Sequence, residues 1–162
     1  MKLTSSAFSN QGNIPEKYSF KRGNVTPPLN WGGENILAQT KTFMLVVEDP
    51  DSPSGIWMHW VLYNIPKHIT DFPEGMWFSK PGLNSWDNAG YQGPDPKIGT
   101  HRYIFRLYAL DVELPTQDNA SADQISGWAK DHILEVAELE GMFGYKAPRS
   151  TGGIEVPGAS PV

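Results

Sequence analysis

The chain has 162 residues with a formal charge of −5, 39% apolar and 12% aromatic residues, and no cysteine. That length supports one domain with its own core over residues 1–162, and the acidic balance argues against a general nucleic-acid or anionic-membrane surface, which gains from a basic field. The lack of cysteine excludes disulfides, thiolate nucleophiles and cysteine-held zinc or iron–sulfur centres. With 16 Gly and 14 Pro to interrupt long helices, a mainly β chain with many turns is expected.

The segment Met1–Phe8 carries one Lys but lacks the apolar stretch of about 7–15 residues that a secretory signal needs, so a cytoplasmic location is expected. No run approaches the length of a membrane span, and stable membrane insertion is not expected. Asn24-Val-Thr26 and Asn119-Ala-Ser121 have glycosylation spacing but read as chance without a secretory signal. Residues 3–31 read as short extended pieces broken by Gly12, Pro15, Gly23 and Pro27-Pro28, with Leu29-Asn30-Trp31 as a strand end.

Thr42–Val47 favours strand, and Asp49-Pro-Asp-Ser-Pro53 then makes a turn. Ile56–Ile65 is apolar on both faces, as a covered central strand would be, and strict alternation predicts one shared face for Trp57, His59, Val61 and Tyr63. Gly and Pro interrupt Pro66–Gly99 every few residues, while Phe72, Trp77, Phe78, Trp86 and Tyr91 supply apolar area for a long ordered loop. His101–Asp111 is the clearest strand, with His101, Tyr103, Phe105 and Leu107 on one face. Ser121-Ala-Asp-Gln124 has capping-box spacing, and the apolar period predicts one short helix near 122–133. Alternation from Ala137 to Tyr145 predicts a half-buried strand, and the tail 147–162 lacks a pattern.

Asp49, Asp51, His59, His101 and Tyr103 are therefore expected in one pocket of two carboxylates, two imidazoles and a phenol. An acid that accepts an Nδ1–H fixes the imidazole tautomer and favours the imidazolium, an anion partner. Gly93 and Gly99 allow close approach of backbone N–H groups to a ligand. Each signal alone has a plainer reading: Asp49-Pro-Asp51 as a turn whose Asp caps local backbone, and His59 as a core histidine. Arg102, on the opposite strand face from His101, is expected to pair with an acid. A hydrolase with a His/Asp general base is the alternative reading, although Ser52-Pro-Ser54-Gly55 is not a nucleophile elbow. A metal site from these acids and histidines lacks a ligand-spacing signal, so no metal and no cofactor is expected.

Several motifs resemble those of the phosphatidylethanolamine-binding proteins: Asp49-Pro-Asp-Ser-Pro53, Trp57-Met-His59-Trp with Asn64-Ile-Pro66, Gly90-Tyr-Gln-Gly-Pro94, and Gly99-Thr-His-Arg-Tyr103. Leu3-Thr-Ser, Ile14-Pro-Glu-Lys-Tyr18 and Pro27-Pro28-Leu29-Asn-Trp31 are similar to the bacterial and archaeal Raf-kinase-inhibitor-like branch, so the resemblance spans roughly 3–146. It implies a β-sandwich-like fold whose pocket takes phosphate or a phospho-headgroup. Residue by residue it places Asp49, Asp51, Pro53, Trp57, His59, Gly93, His101 and Tyr103 on that pocket. It also implies a cis Ser52–Pro53 bond, a homodimer, and a site left open for want of the carboxy-terminal helix of eukaryotic members. Lys97 stands where the family often has a second proline, and Trp86 and Asp87 also depart at the rim. The expected partner is a small phosphate-bearing or other anionic ligand, with a regulatory role toward a protein partner whose identity stays open.

Overall fold

The computed structural model describes residues 1–32, 35–78 and 80–145. The expectations for the tail and for a closing carboxy-terminal helix lie outside the described residues.

The largest unit is a five-stranded sheet. In chain order its strands are β1 (Gly12–Asn13), β3 (Thr42–Asp49), β4 (Trp57–Pro66), β6 (His101–Leu110) and β7 (Ile133–Phe143), arranged β1-β7-β6-β3-β4. All neighbours are antiparallel except the short β1–β7 pair. A second sheet joins β2 (Leu29–Asn30) to β5 (Asp71–Phe72). Leu29, Trp31 and Phe72 bring this small sheet onto one face of the large one, against Phe43, Leu45, Trp60, Leu62 and Leu107. The result is the expected mainly β, sandwich-like arrangement. Each buried aliphatic here, such as Leu45 or Leu62 with no exposed surface, holds about 2–5 kcal/mol against truncation to Ala.

The other face of the sheet is covered at one end by α1 (Ala122–Ala129), the one α-helix among the described residues, whose Ile125 and Ala129 pack with Met44, Val61, Tyr63 and Leu110. Its capping box is present as expected: Ser121 Oγ accepts from Gln124 N–H, and the Gln124 side chain accepts from Ser121 N–H. The helix is shorter than the apolar period predicts. Ile133 opens β7 instead, pairing with Leu110, because ladder bonds to β6 outweigh a further helical turn.

Alternation in β4 also fails where it was expected to hold. Val47 faces Trp60 while Glu48 faces Met58, so His59 is an extra residue in a bulge. A second irregularity follows: Leu45 faces Leu62 and Phe43 faces Ile65, with Asn64 at φ 54°. Trp57 and His59 therefore stand on the cavity side while Trp60 and Leu62 join the main core. Val61 and Tyr63 point to the opposite face, under α1.

Candidate functional site

The carboxyl end of β3, the start of β4 and the start of β6 meet at one edge of the sheet. β-Pairing sets Asp49 opposite Trp57, and Glu48 opposite both Met58 and Ile104. Between them the Asp49–Gly55 turn closes on one side-chain and one backbone hydrogen bond of its own. Asp49 Oδ1 accepts from Asp51 N–H at 2.8 Å, and Gly55 N–H donates to Ser52 O at 3.0 Å with Gly55 at φ 92°. Pro53 thus occupies the second position of a four-residue turn, where its ring presets φ. That turn needs no cis bond, and the Ser52–Pro53 peptide is trans, contrary to what the resemblance implies.

A cavity of about 290 Å³ opens at this edge. Asp49, Pro53, Trp57, His59, His101 and Tyr103, all expected from sequence, line it, and the loop from Trp86 to Ile98 completes the wall with Trp86, Asp95 and Lys97. The His59 Nδ1–H donates to Gln92 O at 2.6 Å, and its ring meets Tyr103 and Trp86 edge-on. The His101 Nδ1–H donates to Asp49 Oδ2 at 2.6 Å. With both Nδ1 atoms engaged, Nε2 is the nitrogen that each imidazole has left to offer. No hydroxyl among the described residues hydrogen-bonds either Nε2, and the Tyr103 hydroxyl, fully buried, makes no hydrogen bond among them. A buried hydroxyl of this kind is stabilised by any ligand oxygen that reaches it.

Electrostatics divide the groups further. Burial is the main influence on His59 and holds its imidazole below the ordinary histidine value, so the ring is neutral near pH 7. Burial, then the neighbouring Asp49, push the Tyr103 phenol up, which leaves it protonated. In this state the cavity offers acceptors at His59 Nε2 and Asp95 and a donor at Tyr103. An imidazole whose Nδ1–H is already engaged donates from Nε2 only as imidazolium, which ties anion capture to a proton.

Two residues of the expected set are engaged elsewhere. Asp51 points to Arg102, which reaches it through Nε and Nη2 at 3.0 and 2.8 Å as well as through its backbone N–H. That fork, the expected acid partner of Arg102, holds the Asp51 carboxyl down at about 2. Gly93 donates its N–H to Asn24 Oδ1 at 2.7 Å. Its lack of a side chain serves the Tyr18 carbonyl, which a Cβ at this position would overlap, and not a ligand. Asp95, with its neighbours Pro96 and Ile98, lines the cavity although sequence reasoning passed it over. Its signal was an acid set between two prolines in the loop that also carries Gly93.

The phosphatidylethanolamine-binding protein family matches this chain over residues 4–144. The chain belongs to that family. Within it, the chain is 38% identical over 153 residues to a UPF0098 protein of Methanothermobacter thermautotrophicus, covering 88% of this chain and 98% of that one. A UPF0098 protein of Chlamydia pneumoniae is 39% identical over 149 residues, with the same coverage. Among solved structures, a putative phosphatidylethanolamine-binding protein homolog from Chlamydia trachomatis superposes with a TM-score of 0.85 at 36% identity, covering 90% of this chain and 97% of that one. YbcL of E. coli, described as a member of the mammalian family, gives 0.81 at 26% identity over 90% and 98%. The expected family and its bacterial and archaeal branch are thus borne out. Among the described residues no helix is long and apolar enough to cross a membrane.

Proposed function

We propose that this protein binds a small anion or phospho-headgroup in the cavity of Asp49, His59, His101 and Tyr103 without transforming it. One observation carries the reading: two imidazoles share one cavity with both Nδ1–H groups held by acceptors, beside a buried phenol whose hydroxyl has no hydrogen-bond acceptor among the described residues. Family membership supports it, since the family's name is that of a phospho-headgroup binder. Trp57 and Pro53 supply apolar walls, and Trp86 stacks edge-on against both Trp57 and His59. Recognition at such a site is a means of regulating a protein partner through the rim.

Thermal unfolding with sodium phosphate and with phosphoethanolamine tests the reading. Ligand at about 100 times Kd adds about 2.7 kcal/mol, a rise of roughly 5–10 °C for a chain of this size. His101→Ala and His59→Ala are expected to stay folded and lose the rise; if both keep it, the anion binds elsewhere.

The 2.6 Å contact of His101 with Asp49 also has the geometry of a base and its orienting acid, the specific observation favouring a hydrolase. Turnover of a phosphoester or peptide panel, abolished by His101→Ala, would establish that reading. No turnover beside measurable phosphate binding removes it.

A further inference from the structure

Asp95 is the cavity group that plain anion binding leaves without a role. It sits between Pro94 and Pro96, both buried, and the two rings restrict its backbone to an extended path. Its side chain is 12% exposed, and Oδ1 accepts no hydrogen bond among the described residues. The nearest cations stand back from it: Lys21 Nζ lies 3.8 Å from Oδ1 and Lys97 Nζ 3.7 Å from Oδ2, on side chains that are 57% and 78% exposed. Tyr145 approaches the Asp95 side chain and Tyr103 its backbone, and burial pushes both phenols up, so neither carries charge near neutrality and Oδ1 stays the oxygen without a partner. Of the remaining groups, Asp49 is held by His101 and by Asp51 N–H, and His59 is neutral through burial.

A carboxylate and an oxyanion in one small cavity repel each other unless a proton lies between them. Phosphate and its monoesters bring that proton near neutrality as a P–OH group, whereas sulfate is fully ionised and has none. We propose that Asp95 selects a phosphoryl group that still carries a proton, the P–OH donating to the Asp95 carboxylate, and rejects fully ionised oxyanions such as sulfate. Neutral His59 works in the same direction, because its Nε2 accepts and does not donate. The inference rests on the anion-binding reading and adds a specificity to it. A site built to accept a hydrogen bond discriminates strongly against an analogue that lacks the donor, because its own polar group is left unpaired.

The experiment is calorimetric titration of the full chain with sodium phosphate and with sodium sulfate at constant ionic strength, between about pH 6 and about pH 8, across the range where phosphate loses its second proton. Phosphate is expected to bind at least about tenfold more tightly than sulfate, and to weaken as pH rises. In Asp95→Asn the side chain can donate, so phosphate should weaken, sulfate should tighten, and the preference should fall within about threefold. Asp95→Ser, checked by circular dichroism, takes its place if the Asn variant does not fold. Equal binding of both anions by the wild type, or a preference that survives in the variant, overturns the inference. If both anions bind equally and His101→Ala removes both, the cavity stands and the role of Asp95 falls. If neither anion binds the wild type, the anion-binding reading falls with it.

Discussion

Replacing Asp49 by Ala tests whether one carboxylate organises the whole site. Asp49 is 4% exposed, with one oxygen on the Asp51 N–H at 2.8 Å and the other on His101 Nδ1 at 2.6 Å. Hydrogen bonds to a charged group contribute about 1.5–3 kcal/mol each, while removal of a buried carboxylate returns part of its desolvation cost, so the net loss should be about 2–4 kcal/mol. Asp49→Asn keeps the turn acceptor and the side-chain shape and should lose only about 1–2 kcal/mol. Urea unfolding gives both values, and a nitrogen-detected NMR spectrum of His101 should show its tautomer change in each variant. If Asp49→Ala costs under about 0.5 kcal/mol, the turn is held by something other than this carboxylate, and the physical account of the site is wrong.

Acid should weaken the fold partly through His59. Its folded value is depressed below the ordinary 6.5, so the contribution of the neutral ring is complete above about that pH. That contribution is lost as pH falls through the lower folded value, because the unfolded chain then binds the extra proton. Urea midpoints of the wild type and His59→Asn, compared at about pH 7.5 and about pH 5.5, should show the larger loss in the wild type; equal losses would contradict the argument. Asn64 bonds both the N–H and the C=O of Leu114 at 2.7 Å from a residue at φ 54°. Asn64→Ala should therefore cost about 2–4 kcal/mol, and Asn64→Gly about 1 kcal/mol less, as measured by denaturation. Gly93→Ala would drive a methyl into the Tyr18 carbonyl and should lower the melting temperature by several degrees; an unchanged value would show that the loop can move away.

Much of this fold is legible in one dimension. The alternation in His101–Leu110, the capping box at Ser121, and the run of Gly and Pro through 66–99 each act within a few residues, where local sterics decide the conformation. The motifs around Asp49, His59, His101 and Tyr103 pointed to a shared site only through their joint occurrence and the family resemblance, since each alone reads as a turn or a core residue. Val61 and Tyr63 turned to the other face because a bulge at His59 shifts the phase, and apolar residues on both sides of that strand conceal such a shift.

Asp51 and Gly93 left the cavity because Arg102 and Asn24, from other parts of the chain, took their hydrogen bonds. Asp95 entered it because the 93–99 loop folds back over β4 and β6. Composition and side-chain period, being local, determined the class of fold and roughly where its long strands lie, and the motifs with their family resemblance named most of the chemical groups of the candidate site. Which donor meets which acceptor across strands far apart in the chain depends on register and burial, and only the tertiary structure decided that.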